Sequence, residues 1–225
     1  MPLSASVVEP WEARSGGWLI EGYGLSETSP ILMANPVSDN RRAGSVGLPM
    51  SSTEARAVDP DNPTVDVPRG ERGELIVRGP QVFSGYYHRP EETAEVFVDG
   101  WFRTGDIVTI ADDGFVTIVD RIKDLIISGG FNVSPSEVED TLRQFAGVED
   151  VAVVGLGTSA AEQVTAAVVV TKGMELDEDA LRQFARDNLA AYKVPRRIVV
   201  VNDLPRSLVG KVIRRKVKEQ LQAKK

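Results

Sequence analysis

Apolar positions along this chain change their period near its middle. Val7, Val8 and Trp11 recur at near-helical spacing and are stopped by Gly16 and Gly17, which predicts a short amphipathic helix. WLIEGYG, residues 18–24, reads as a buried strand running into a glycine-rich loop. Residues 35–72 are dense in Pro, Asp, Asn and Gly, with short apolar stretches such as SVGLP and ARAVD. That composition predicts short strands joined by long turns. GELIVRG and FVTIVDR carry the branched, alternating pattern of strands. Between them RPEETAEVFVDGWF opens as a proline-led helical turn and closes at Asp99-Gly100, a hairpin signal.

From residue 120 the order becomes strand, helix, strand, strand, helix, strand, helix. In SPSEVEDTLRQF, Ser134 is the expected N-cap, Pro135 the first helical residue and Glu137 the capping-box partner, with Val138, Leu142 and Phe145 on one face. DVAVVGL and VTAAVVVT read as strands, the second so uniformly apolar that a central position is expected. DEDALRQFARDNLAAY is a helix whose acidic start suits its dipole. IVVV is a last strand. In GKVIRRKVKEQL, Ile213, Val217 and Leu221 form a stripe that leaves Arg214, Arg215, Lys216 and Lys218 largely toward water. The expected result is a compact α+β domain following a strand-dominated first half.

Composition narrows the chemistry. The 225 residues include no cysteine and one histidine, His88, which excludes disulfides, thiolate zinc sites and histidine metal clusters. There is no apolar run long enough to cross a bilayer and no secretory leader, so a cytoplasmic location is expected. The net charge of -7 is unevenly spread: the acidic excess belongs to residues 1–119, and from Lys193 onward only Asp203 and Glu219 are acidic. That basic end suits either a polyphosphate or a solvated helix face. Nucleic acid is disfavoured, because the chain is acidic overall and lacks interleaved aromatics.

Four stretches could carry chemistry. In EGYGLSETSP, residues 21–30, Gly22 and Gly24 permit close backbone approach, Tyr23 offers a ring face, Ser26 and Thr28 offer hydroxyls, and Glu27 offers a hard oxygen for Mg²⁺. The stretch is either an ordinary turn or a nucleotide seat. FRTGD puts Asp106 after a glycine at the expected end of a short extended segment, where a carboxylate can accept both hydroxyls of a ribose. Arg121 could meet the same diol or pair with Asp120 or Asp124. LPRSLVGK ends in Lys211, either a cation reaching into a cleft or a solvated side chain. DRIKDLIISGGFN joins the two halves as a hinge or as an ordinary hairpin linker.

Taken in order, EGYGLSETSP, GELIVRGPQVFSGYY, WFRTGD, VDRIKDLIISGGFNVSPSEVED and YKVPRR with LPRSLVGKVIRR resemble the acyl-adenylate-forming enzymes, specifically fatty acyl-CoA synthetases. The resemblance covers nearly the whole chain. It implies an α/β and α+β fold: residues 1–119 as the tail of a large AMP-binding domain with a small β-barrel, 120–125 as hinge and 126–225 as an α+β lid. It implies ATP, AMP, Mg²⁺ and CoA, with a fatty acid adenylated to acyl-AMP and then passed to the CoA thiol. By this similarity Tyr23 stacks on adenine within the Gly24 turn, and Ser26, where the family usually has Thr, contacts the α-phosphate. Glu27 holds Mg²⁺, Asp106 binds the ribose with help from Arg121, and Lys123 lies at the hinge. Lys211 bridges carboxylate and phosphate, and the loop of Ser128, Gly129, Gly130 and Phe131 lines the CoA tunnel. The family's phosphate loop and acyl tunnel are not found in these residues, so the chain is expected to be the last portion of a synthetase with little or no activity alone. A noncatalytic docking module and another acyl-activating adenylation enzyme are the rival readings. The resemblance leaves room for peripheral membrane contact and fixes neither acyl chain length nor oligomeric state.

Overall fold

The computed structural model describes residues 5–158, 161–207, 210 and 212–223. They divide into two compact units, Met1–Lys123 and Asp124–Lys225, with the boundary inside the 120–125 stretch. Among the described residues no helix is long and apolar enough to cross a membrane.

The first unit opens with α1 (Ala5–Ser15). Val8 is buried, but Trp11 is about half exposed, so the predicted shared apolar face does not form; the side chain of Val7 lies outside the described residues. Charge holds the helix instead. The Glu12 carboxylate accepts from Arg41 Nε at 2.8 Å, Arg41 Nη2 at 2.5 Å and the Leu19 amide at 2.8 Å. The expected buried strand at residues 18–24 shrinks to β1 (Gly22–Tyr23), which pairs with β2 (Met33–Ala34), itself paired with β3 (Leu48–Pro49). The last rung runs from the Asn35 amide to the Glu21 carbonyl, and beyond it Trp18 is about half exposed. The apolar content of WLI therefore does not signal a ladder, because no neighbouring strand continues past Glu21.

A five-stranded antiparallel sheet follows, built from β4 (Glu54–Val58), β5 (Arg72–Arg78), β6 (Phe97–Val98), β7 (Trp101–Ile110) and β8 (Val116–Arg121), with the short helix α2 (Pro90–Glu95) between β5 and β6. Its order is β4-β5-β7-β6 with β8 also on β7, and it curls into the half-barrel the sequence suggested as a small barrel. β5 is buried from Gly73 to Val77 rather than alternately. Leu75 and Val77 join the apolar core with Phe102 and Val108, while Glu74 on the opposite face is covered through its ion pair with Arg103. The predicted Asp99-Gly100 turn is present: both residues have positive φ, 49° and 79°, as a tight type I′ hairpin requires.

In the second unit β9 (Ile126–Ser128) and β10 (Phe131–Val133) form a hairpin whose two turn residues, Gly129 and Gly130, have φ of 61° and 83°. Then come α3 (Pro135–Leu142), β11 (Val148–Thr158), β12 (Ala161–Val170), α4 (Glu178–Asn188), β13 (Arg197–Val201) and α5 (Arg214–Ala223). β12 is central, antiparallel to β11 and parallel to β13, as its apolar run predicts. Ser134 Oγ accepts from the Glu137 amide at 3.3 Å, and the Asp177 carboxylate caps α4 through the Asp179 and Ala180 amides. One core gathers Val138, Leu142, Leu181 and Ala185 against the sheet; another gathers Val217 and Leu221 with Ala152 and Ala167.

Arg214 and Lys218 depart from the solvent-facing expectation. Arg214 donates to the Glu139 carboxylate, Nη2 to Oε2 at 2.8 Å and Nε to Oε1 at 3.1 Å, and to Ser136 Oγ; Lys218 donates to Glu162 at 2.8 Å. Glu139 is almost fully buried on α3 and also accepts the Val153 amide at 2.8 Å. Burial pushes its carboxyl up, against the pull of Arg214. Helical periodicity within α5 carries no information about a charge buried on another element, and that charge is what draws Arg214 inward.

Arg214→Ala leaves this buried carboxylate facing Arg143 at the longer distance of 3.8 Å. The expected loss is about 3 kcal/mol of stability in the second unit, measurable by urea unfolding. In the first unit the Glu12 carboxyl is held down from 4.5 to about 2, mainly by its bond with Arg41. A depressed carboxyl stabilises the fold above its unfolded value and loses that contribution as pH falls toward the folded one. Tryptophan fluorescence from Trp11 and Trp18 should therefore report release of α1 between pH 4.5 and about 2, and Arg41→Gln should move the release upward.

Candidate functional site

Tyr23, on β1, enters a sharp reversal. A 3-10 turn at Ser26–Thr28 follows, pinned by Thr28 Oγ1, which accepts the Leu25 amide at 2.9 Å; Ser29 then takes a φ of 51°. A Cβ on Gly24 would sit 1.6 Å from the Pro30 carbonyl oxygen, so the reversal closes only around a glycine.

The reversal brings the Tyr23 hydroxyl to Asp106, donating to Oδ2 at 2.6 Å. Arg121 Nε lies 3.0 Å from the other oxygen, Oδ1, and Asp106 and Arg121 are direct partners across β7 and β8. Asp106 is only 3% exposed, while the Arg121 side chain reaches the surface. The Tyr23 phenol is pushed well above its ordinary value, by burial first and by the Asp106 charge second. It is therefore a fixed donor. The sequence left Arg121 open between a diol and its carboxylate neighbours; here it pairs with Asp106. Asp106 itself lies in the interior of the ten-residue β7 rather than at the end of a short segment, because a register slip opposite Glu74 to Ile76 lets the strand continue past it.

Glu27 stands in the same turn, half-buried, and accepts from the Tyr86 hydroxyl at 2.9 Å. Its carbonyl takes the Phe83 amide at 2.8 Å, anchoring the turn to the loop after β5. Burial, then the Glu27 carboxylate, raises the Tyr86 phenol. Ser26 is exposed on the turn. Glu27, Tyr86, Asp106, Arg121 and Lys123 line one cleft of about 680 Å³. Among the described residues no three His, Asp or Glu side chains cluster as a complete metal site. Glu27 supplies a single carboxylate, which fits a Mg²⁺ ion that keeps waters and takes further oxygens from a phosphate.

Gly129 and Gly130 belong to the second unit, at the β9–β10 turn. Beside them Phe131 stacks on Tyr192 with ring centroids 4.5 Å apart. Lys211 lies outside the described residues. Sequence reasoning gave no role to Tyr86, Thr104 or Glu74, which hold Glu27 and the Asp106 segment. The tyrosine pair in FSGYY was a visible signal, since a phenol on a glycine-bracketed loop can reach a carboxylate. Nothing in GELIV marked Glu74 as an inward-facing charge.

Glu27 from the turn, the buried Asp106 carboxylate and Arg121 thus line one cleft, and comparison with known families shows what kind of chain carries it. Residues 1–87 match the AMP-binding enzyme family and residues 137–211 match the AMP-binding enzyme C-terminal domain, so the chain belongs to the AMP-binding enzymes. It is 45% identical over 224 residues to a long-chain-fatty-acid–CoA ligase of Salmonella typhimurium, covering 100% of this chain and 40% of that protein. It is 41% identical over 203 residues to a feruloyl-CoA synthase of an Amycolatopsis species, covering 89% of this chain and 41% of the relative. Its fold superposes on ATP-bound MatB from Rhodopseudomonas palustris with a TM-score of 0.83 and 38% identity, over 98% of this chain and 44% of that one. The chain thus spans well under half the length of the relatives it matches.

Tyr23→Phe removes one of the two donors on the buried Asp106. The expected cost is about 1–3 kcal/mol, read as a lower unfolding midpoint of the first unit.

Proposed function

We propose that this chain is the C-terminal portion of an ATP-dependent fatty acyl-CoA ligase. The reaction has two halves. A fatty carboxylate attacks the α-phosphorus of ATP, giving acyl-AMP and pyrophosphate; the CoA thiol then attacks the acyl carbon, giving acyl-CoA and releasing AMP. The observation that carries the reading is the Tyr23–Asp106–Arg121 constellation, a buried carboxylate held by two donors on the wall of a cleft.

A carboxylate has about four acceptor positions, and two donors leave room for the hydroxyls of a ribose. In this reading Asp106 takes those hydroxyls, Arg121 steadies it, and the Tyr23 ring lies against adenine. Gly24 lets the turn approach the nucleotide, and Ser26 contacts the α-phosphate. Glu27 would hold Mg²⁺, exchanging its Tyr86 bond for the ion; when bound, Mg²⁺ offsets negative charge on the phosphates. Lys211 supplies an ammonium where charge develops during adenylation. Lys123 serves as hinge between residues 1–119 and 126–225, and the Gly129-Gly130 turn lines the path of CoA. ATP and CoA would be drawn from the cytoplasm. The names of the relatives support an acyl substrate activated as a CoA thioester, and long-chain fatty acids are the proposed class.

The 225 residues joined to the missing portion of the Salmonella typhimurium relative should catalyse ATP–pyrophosphate exchange, whereas the chain alone should show little or none. Asp106→Ala in the joined protein should lower kcat/KM for ATP by about tenfold to a hundredfold, since a hydrogen bond to a charged group is worth roughly 1.5–3 kcal/mol. Unchanged exchange in Asp106→Ala, or in Lys211→Ala, would instead favour a docking module.

A further inference from the structure

We propose that Glu74 is a positioning residue for Asp106, an inference that rests on the ribose-binding reading of Asp106. Glu74 sits on the interior strand β5 with its side chain 2% exposed, an unusual place for a carboxylate. It does not touch Asp106. Its Oε2 accepts both Arg103 Nε at 2.9 Å and Arg103 Nη2 at 2.5 Å, which leaves Oε1 for the backbone amide of Gly105 at 3.3 Å. Arg103 Nη2 also donates to the Pro60 carbonyl at 3.1 Å, tying the pair to the loop beyond β4.

The ladder shows what this arrangement holds. Glu74 pairs with Ile107 and Ile76 with Arg103, so Leu75 alone stands opposite Thr104, Gly105 and Asp106. β7 bulges there, and the bulge takes its amides and carbonyls off the regular ladder. Gly105 has a φ of 71°, and Thr104 Oγ1 donates to the Leu75 carbonyl at 2.8 Å and accepts the Asp106 amide at 3.2 Å. Both flanks of the bulge therefore rest on β5: Thr104 on a carbonyl, Arg103 and Gly105 on the one Glu74 carboxylate. The bulge is also what sets Asp106 opposite Arg121 and within reach of Tyr23. Glu74 thus acts on the nucleotide through the backbone, and it lines the same cleft. A neutral side chain at 74 would loosen Arg103 and with it the three bulged residues.

The test uses the 225-residue chain. By NMR, the Tyr23 hydroxyl proton and the Arg121 Nε–H report the geometry at Asp106, and titration with AMP and with 2′-deoxy-AMP reports ribose recognition. Wild type should show a slowly exchanging Tyr23 hydroxyl signal and a preference for AMP. Glu74→Gln should lose that signal and reduce the preference by about threefold or more. Arg103→Lys, which keeps the charge pair and so spares the fold if Glu74→Gln does not, should show the same changes more weakly. If both variants fold, melt at lower temperature and still keep the hydroxyl signal and the preference, Glu74 only stabilises the sheet and the inference is overturned. Asp106→Asn separates the two ideas. A preference that survives in it sinks the ribose reading, while the Tyr23 signal in Glu74→Gln still decides whether Glu74 positions Asp106.

Discussion

The first unit is organised around keeping one ionised carboxylate out of water. A charge buried as deeply as Asp106 costs several kcal/mol unless donors replace its hydration. Two side chains do so, one from β1 and one from β8, strands that belong to different sheets. Satisfying Asp106 therefore requires the Gly24 reversal, the β7 bulge and the β7–β8 register to be correct together. The cleft wall at Asp106 and the fold of the half-barrel are in this sense one solution to one electrostatic problem.

Where the sequence was legible, the signal was local. The Asp99-Gly100 turn, the Ser134 cap and the apolar run of β12 each follow from residues that determine their own backbone. Tyr23, Asp106 and Arg121 could be named as candidates from residue type and order, but their mutual contact could not, since 83 residues separate Tyr23 from Asp106. The errors share a cause. Helical spacing places Trp11 and Arg214 on faces, and apolar content places Trp18 in a buried strand, whereas the burial of each is decided by what lies opposite. Glu74 is the extreme case: its sequence neighbourhood describes a strand, and only the partner strand explains its charge.

The second unit meets the same constraint with different parts. Glu139 is buried between α3 and β11 and is matched by a guanidinium from α5, so the last helix is fastened by an ion pair as well as by Val217 and Leu221. Lys193 likewise donates to Glu137 at 2.6 Å, tying the segment after α4 to the first turn of α3. Such pairs contribute less net stability than apolar contacts of equal size, but each is satisfied in only one arrangement of the elements it joins. That selectivity suits a small unit with two thin cores on either side of a three-stranded sheet.

Gly24 bears on how such a site could diversify. With backbone oxygen filling the space any side chain would need, the reversal is closed to gradual change: no substitution there can be small. Variation in what the cleft accepts must come from side chains that line it, such as the half-open Tyr86. The turn is thus a rigid chassis, and adaptation is confined to the side chains mounted on its rim.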